Sequence, residues 1–549
     1  MATKNLFLNA LASKDTVTLN GAISNSTTNS VLVDQFGTAA NYRNRPIEKV
    51  FEDQELLWMD NKEMSVRFPF YLRMVTRKVK VHNNFVTDNV QNGQGVRDES
   101  FKRLLWFAKN QSNIFYQNIW LLPMVGSWKD LWTIMFYDIS MDINSIDRKV
   151  IYELIKQGIA CEEHIELIKK FMPRIKSKSK LTTDWTRITN QLAKEFAEYL
   201  GISAKEYNKF KASGTAHEFQ KMICSREYDK INWNLIPGRA LNLIANSKFL
   251  TNHNLEEEYV KWLMEQPTAK FTGYVYELAK QVRDNIGYNF WGGKGNDLTK
   301  LPLHKRVTID KQFDELIKKA KENGKITENV WCALDTSGSM GSLTSCGVSA
   351  FDIGTALGVF FSTLNEGSFH KNVIMFDNVS SVKQLNGSFS EMLTQIPYNA
   401  MGGTNFQSVV DEICRIRHAN PNIPLEDYPS TLLVVSDMGF NPTMDWRYQR
   451  DEVVEQTNYE AMKSKLYECF PTEFVDNMKF IWWNVSSKLK DFPSQINDGG
   501  TYLFSGYDGS IINMLLGEEV KPNEPKKQKT MMEMVLEALN QEILQQVKL

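Results

Sequence analysis

Residues 329–342 read Asn-Val-Trp-Cys-Ala-Leu-Asp-Thr-Ser-Gly-Ser-Met-Gly-Ser. Five apolar residues, Val330 to Leu334, run without a polar break into Asp335-x-Ser337-x-Ser339. Such a run, closed by a Gly/Ser turn, predicts a strand buried on both faces, as in a parallel sheet. At its end, alternate positions offer one carboxylate and two hydroxyls that can aim at a single point. An oxygen-only set suits a hard cation, Mg²⁺ first, with Ca²⁺ or Mn²⁺ also accommodated. One carboxylate leaves the ion under-neutralised and with open positions, so it can accept an acidic group from elsewhere.

Two later segments complete the set. Met401-Gly402-Gly403-Thr404-Asn405 precedes a helical pattern and adds the Thr404 hydroxyl, and Thr431-Leu-Leu-Val-Val-Ser-Asp437 is a second apolar strand ending in a carboxylate. Three ligand segments in this order, two of them at strand ends, resemble the metal-ion-dependent adhesion site of von Willebrand factor A (vWA) domains. The resemblance implies a divalent cation held by Asp335, Ser337, Ser339, Thr404 and Asp437, which an acidic side chain of a partner protein could complete. The surrounding pattern alternates. Strands are expected at 330–334, 372–376, 431–436, 478–485 and 501–504, and helices at 350–364, 407–417, 452–467 and 510–516. That is the pattern of a doubly wound parallel sheet, which binds ligands at the carboxyl ends of its strands.

Composition narrows the class. The 549 residues carry 64 Lys+Arg against 65 Asp+Glu, a formal net charge of -1, so any nucleic-acid surface must be local. Hydrophobic residues make up 42% of the chain, ample for several packed cores. The six cysteines (161, 224, 332, 346, 414, 469) form no CxxC pair, as expected of reduced thiols in the cytoplasm. No stretch approaches the ~20 apolar residues needed to cross a bilayer, so no membrane partner is expected. A cytoplasmic location follows, or a virion if the chain is phage-encoded.

Five segments are expected along the chain. They are a polar arm (1–45), a helical repeat domain (46–281), a linker with a connecting helix (282–324), the vWA domain (325–516) and a polar linker with a C-terminal amphipathic helix (517–549). The arm is rich in Asn, Ser, Thr and Gly and shows little core of its own. Helical periodicity recurs at 98–109, 146–157, 188–200 and 255–265, with prolines at 46, 123, 173, 237 and 267 between the helices. Short helices in succession suggest a HEAT-like α-solenoid. The C-terminal helix, 530–547, is expected to dock on the sheet.

Three helical-half segments carry a further resemblance. They are Gly93-Gln-Gly-Val-Arg97 followed by Leu121-Leu-Pro123-Met-Val-Gly126-Ser-Trp128-Lys-Asp130-Leu131; Phe171-Met-Pro173-Arg174; and Glu206-Tyr207 through Trp233-Asn-Leu-Ile-Pro237-Gly238-Arg239-Ala240. In this order ahead of a vWA domain they resemble the TROVE modules of the Ro ribonucleoprotein family and a sister family of the same architecture. The third departs from the family pattern at Gly238-Arg239. The resemblance implies a helical solenoid or ring that binds structured small RNAs or RNA 3′ ends through basic surfaces. Residues 61–110 hold ten Lys/Arg against four acids, and Lys169–Lys180 holds six cations and no acid. Arg73, Arg77, Lys78, Lys80, Arg97, Lys102, Arg103, Lys176, Lys178 and Lys180 are therefore the candidate phosphate contacts. Phe101, Trp106, Phe107 and Trp185 are candidates to stack on bases, although Trp106 and Trp128 sit among apolar neighbours and read as core.

Three functions are weighed. The first is a non-catalytic RNA-binding protein of Ro type whose metal site stabilises the domain or recruits a partner. The second is a metal-dependent protein-interaction or assembly protein, such as a phage virion component, with no RNA role. An enzyme is the third. No Ser-His-Asp order, phosphate loop, HExxH or paired nuclease carboxylates are present, and His304, His370 and His418 stand alone, so catalysis is not expected.

Overall fold

Six strands build one sheet: β1 (Val330–Asp335), β2 (Asn372–Phe376), β3 (Ser380–Gln384), β4 (Thr431–Ser436), β5 (Lys479–Asn484) and β6 (Thr501–Ser505). Their order is β6-β5-β4-β1-β2-β3, and every neighbouring pair is parallel except β2–β3. The chain leaves β1 to build one half of the sheet, then crosses back to β4 to build the other. The loops after β1 and β4 therefore diverge at a topological switch point, where a doubly wound sheet opens a crevice. All residues of β1 and β4 are buried, in keeping with their unbroken apolar runs. The edge strand β3, Ser-Ser-Val-Lys-Gln, is mostly exposed and polar, which discourages a further strand from adding. Its single apolar residue is why the periodicity did not announce it.

The computed structural model describes residues 14–42, 44–75, 77–78, 90–214, 218–287, 297–323, 328–442, 456–486, 491–507 and 529–549. The expected helix 510–516, the start of the one at 452, and the tail to residue 528 lie outside the described residues. Helix Ala350–Leu364 has the expected bounds, and Ser349 caps it by accepting from the Asp352 amide at 3.0 Å. Gly358 lets this helix approach β1 closely, because a Cβ there would lie 2.1 Å from Leu334 Cδ2. Trp482 and Trp483 of β5 are fully buried. Their indole N–H groups donate to Thr501 Oγ1 at 3.0 Å and to the Gly506 carbonyl at 2.9 Å.

The domain limits differ from those expected. The chain divides into two units, Met1–Arg43 with Pro237–Ala538, and Asn44–Ile236 with Leu539–Leu549. The polar arm is in fact part of the sheet unit. Helix Val31–Thr38 buries Leu32, Val33 and Phe36, and Phe36 packs edge-on against Phe504 of β6 at 6.5 Å. Asn41 donates to the Ser486 carbonyl at 2.8 Å and accepts from the Gly506 amide at 2.9 Å. A short amphipathic helix was hidden there by a polar average composition.

The helices Gly238–Asn246, Glu256–Glu265, Val275–Ile286 and Leu303–Asn323 also belong to the sheet unit. Phe313 stacks on Phe389 at 4.2 Å, Asp310 accepts from the Ser390 amide at 2.8 Å, and Arg283 donates to the Leu393 carbonyl at 2.8 Å. The expected linker therefore begins and ends as helix, and its residues 288–296 lie outside the described ones. The terminal helix is short, Met531–Leu539. Residues 539–549 belong to the other unit, where Lys548 and Asn118 exchange two hydrogen bonds of 2.7 Å.

That other unit is almost wholly helical. Its longer helices are Ile47–Asp60, Lys62–Arg73, Arg97–Asn110, Lys129–Ser140, Arg148–Ile159, Glu162–Phe171, Asp184–Tyr199 and Ala204–Ala212. Phe68, Tyr71, Leu105, Trp106, Leu131, Trp132 and Phe196 form its core, and Trp106 and Trp128 are buried as expected.

Candidate cation site and basic loop

Three loops meet at the carboxyl end of the sheet. After β1, the backbone turns at Asp335, whose Oδ1 accepts from the Ser337 amide at 2.9 Å. The Gly338 amide donates to the Gly402 carbonyl at 2.9 Å, and the Tyr398 hydroxyl donates to the Gly338 carbonyl at 3.0 Å. A side chain at position 338 is excluded, because its Cβ would lie 2.5 Å from the Ala400 carbonyl oxygen. This close approach brings Thr404 onto the first loop: Thr404 Oγ1 lies 3.0 Å from Ser337 Oγ, and Ser339 Oγ lies 3.1 Å from it. After β4, Met438 adopts φ 63° and the Gly439 amide turns back to Asp437 Oδ1 at 3.0 Å.

Asp335, Ser337, Thr404 and Asp437 are all buried, and Ser339 is half-buried. The Asp335 carboxyl is held well above the usual carboxylate range, first by burial and then by the negative charge of Asp437. Two acids buried within each other's field are costly unless a cation joins them. The hydroxyl spacing fits one. Thr404 donates to Ser337 at 3.0 Å and Ser337 and Ser339 share a hydrogen bond of 3.1 Å, and these separations also match the ~3.0 Å edge between six ligands at about 2.1 Å around Mg²⁺. The residues present therefore suit a hard divalent ion. Thr404, Ser337 and Ser339 would supply neutral oxygens, and Asp335 and Asp437 the compensating charge.

Two residues at this site escaped sequence reasoning. Ser436 donates from Oγ to Asp335 Oδ2 at 2.5 Å, fixing the carboxylate from the neighbouring strand. Its place one residue before Asp437 was the available signal. Asn20 reaches Thr404 Oγ1 at 3.3 Å and the Gly439 carbonyl at 2.6 Å from the N-terminal segment, and nothing in its local sequence marks it.

The basic candidates separate sharply. Arg73 is buried against Asp130 at 2.6 Å, Lys102 against Asp98 at 2.8 Å, and Arg103 against Glu99 at 3.1 Å. Lys102 also donates to the Arg45 carbonyl. These three face the interior and are withdrawn as phosphate contacts, because charges paired and buried in this way do not meet a ligand. Phe101 and Phe107 are likewise core. Arg97 is exposed at the start of its helix. Arg77 and Lys78 lie in a two-residue strand paired with Val90–Gln91. Lys80 lies outside the described residues.

Lys176, Lys178 and Lys180 are exposed, as is Arg174 beside them. Their loop is fixed by its backbone. The Ile175 amide and carbonyl pair with the Asn208 side chain at 3.1 and 2.9 Å. The Lys176 amide donates to Asn190 Oδ1 at 2.7 Å, and the Tyr207 hydroxyl donates to the Pro173 carbonyl at 3.0 Å. Among the described residues, no ion pair engages Arg174, Lys176, Lys178 or Lys180. Trp185 follows the loop with its side chain partly exposed, packed on Phe136 at 4.6 Å.

Comparison with known proteins adds the following. Residues 330–547 match the family model described as Domain of unknown function (DUF7788). No curated protein matches the chain. Among solved structures, the chain is similar to the crystal structure of the Deinococcus radiodurans RO (RSR) protein, at 10% identity over 88% of this chain and 99% of that chain, with a TM-score of 0.44. No described helix is long and apolar enough to cross a membrane.

Proposed function

We propose that the protein is a non-catalytic RNA-binding protein of Ro type that holds structured RNA or RNA 3′ ends by phosphate contacts on its helical unit. It carries a divalent cation, Mg²⁺ by preference, at the crest of its sheet. The fixed loop 173–180 is the observation that supports the RNA reading. Four cations stand exposed on a loop whose first half, residues 173–176, is pinned by Asn190, Tyr207 and Asn208, with no acid paired to them among the described residues. A polyanion meets them without having to order the loop or displace an acid. Trp185, next along the chain, offers a partly exposed ring for an unpaired base. The motif order that resembles the Ro family points to the same partner.

The test is binding of a hairpin RNA with a single-stranded 3′ end, followed between about 50 and 200 mM salt. Wild type should lose affinity steeply, and K176E/K178E/K180E should bind weakly at every salt. Equal binding by the triple variant would sink this placement.

Metal-dependent capture of an acidic protein is a second reading with its own support. Leu19, Leu343 and Met401, on segments that carry or touch the cation site, are 58%, 66% and 82% exposed. An apolar rim around a charged centre suits a protein partner. Pull-down with and without Mg²⁺, using Asp335→Ala as control, separates this reading from the first. Loss of a protein partner with RNA binding intact would favour it.

A further inference from the structure

Residues 16–24 fold back over the carboxyl end of the sheet as a short hairpin. Thr16–Val17 pairs antiparallel with Ile23–Ser24, and Gly21, at φ 88°, allows the turn between them. Three fastenings hold it. Thr18 donates to the Phe440 carbonyl, Ser24 donates to Asp491 Oδ2 at 3.2 Å, and Asn25 and Phe492 exchange backbone hydrogen bonds of 3.1 and 2.8 Å. All of these anchors lie on loops that follow β4 or β5, so the tip is set directly above the switch point.

At that tip stands Asn20. Its amide donates to the Gly439 carbonyl at 2.6 Å and to Thr404 Oγ1 at 3.3 Å, and Thr404 Oγ1 is 3.0 Å from Ser337 Oγ. The amide is thus one hydrogen bond from the cluster of candidate ligands, while Asn20 itself is exposed. We infer that Asn20 is an intramolecular ligand of the cation site, and that the hairpin tip takes the coordination position an acidic partner would otherwise fill. This rests on the cation reading above. Nδ2 faces the cluster, so coordination requires Asn20 to turn until Oδ1 points at the ion, giving up the hydrogen bond to the Gly439 carbonyl; a side-chain amide oxygen is a hard, neutral ligand. Asp335 and Asp437 already balance a divalent charge, so a neutral ligand completes the set without excess negative charge. A carboxylate from a partner binds such an ion more strongly than an amide, but it must compete with a tethered group of high local concentration. The site is then capped at rest and opened by displacement of Asn20.

Mn²⁺, alone, is the probe, followed by electron paramagnetic resonance and by water-proton relaxation on the full chain. N20A should weaken Mn²⁺ by ~3–10-fold and add a fast-exchanging water to the bound ion. N20D should tighten it by ~10-fold or more, because a charged oxygen replaces a neutral one. D335A should abolish binding. Were Mn²⁺ to bind wild type and be lost in D335A, with N20A and N20D matching wild type in affinity and hydration, Asn20 would not be a ligand and the cation site would stand. If neither wild type nor N20D bound Mn²⁺, the cation reading itself would fall and this inference with it. Thermal melts of N20A and N20D, substituted at an exposed turn, check that both remain folded.

Discussion

Two basic stretches of the helical unit carry similar sequence signals and meet opposite fates. In the first, Arg73, Lys102 and Arg103 are each buried against an acid; in the second, Arg174, Lys176, Lys178 and Lys180 are exposed on a loop. The cause lies in spacing. Asp98 and Lys102, and Glu99 and Arg103, stand four residues apart on one helix, so each pair shares a face and can enter the core as a neutral unit. Arg103 also lies over the Phe68 ring at 4.9 Å and donates to Gln54 Oε1 at 3.1 Å. Lys169, at the end of helix Glu162–Phe171, still pairs with Glu166 at 3.0 Å, but Arg174, Lys176, Lys178 and Lys180 follow that helix on a loop with no acid of its own. Whether a cation run stays exposed depends on whether its own acids are at hand, and its count of charges alone decides nothing.

The largest expected effect tests the buried half of that contrast. Glu99→Ala leaves the Arg103 guanidinium buried without its nearest partner, although Gln54 remains. Loss of one member of a buried pair typically costs about 3–5 kcal/mol. Urea unfolding should show a loss of that order, and RNA affinity of the folded fraction should not change. A variant as stable as wild type would mean that this cluster is hydrated and open, and Arg103 would return as a candidate contact.

Next comes the exposed half. Replacing Lys176, Lys178 and Lys180 by Ala should reduce the log–log salt slope of RNA binding by about 3, roughly one unit for each phosphate that is no longer neutralised. Stability should hardly move, since among the described residues these side chains join no ion pair and no core. A slope unchanged from wild type would place the phosphates elsewhere. Arg97, exposed on its helix start, would then be the next residue to replace.

The crest of the sheet breaks the pattern in an informative way, because Asp335 and Asp437 are buried facing like charge. A divalent cation held between them would offset that charge. Mg²⁺ at about 100 times its dissociation constant should then stabilise the fold by ~2.7 kcal/mol, and EDTA should remove that gain. Asp437→Asn should diminish the response. Asp335→Asn, which relieves the repulsion, should raise the stability of the metal-free protein. Melting curves indifferent to Mg²⁺, Mn²⁺ and Ca²⁺ would show that no divalent cation binds here.

How much of this was legible depended on whether the signal was local. The runs Val330–Leu334 and Thr431–Ser436 declared buried parallel strands, and β1, β4 and the helix at 350–364 stand where periodicity placed them. The residues Asp335, Ser337, Ser339, Thr404 and Asp437 were named from strand ends and a Gly-Gly-Thr turn, and the hydroxyls among them meet within 3.1 Å. What stayed hidden depends on distant contacts. Asn20 lies 384 positions from Thr404 in sequence, and the helix at 31–38 is defined by packing on β6 rather than by its composition. The fate of Arg73 needed Asp130, 57 residues away, whereas Lys102 and Arg103 could have been read from their i,i+4 acids.

The smallest effect is the most discriminating, because it involves a lysine between the two extremes. Lys211 is half-buried and donates to the Lys169 and Lys170 carbonyls at 3.0 and 3.3 Å, at the end of helix Glu162–Phe171 beside the basic loop. Burial, and then the charge of Arg174, lower its pKa from 10.5 to about 8. The folded protein therefore disfavours the ammonium, so this group makes the fold more stable as pH rises from about 8 towards 10.5. A phosphate bound at the loop acts the other way, favouring the charged form. RNA binding should then take up a proton near pH 8, and affinity should fall by a few-fold between about pH 7 and pH 9 while stability against urea rises. K211M should flatten both trends. If affinity and stability moved together with pH, or if K211M kept the wild-type profile, the phosphates would not lie within reach of this lysine, and the basic loop would be a solvated surface like any other.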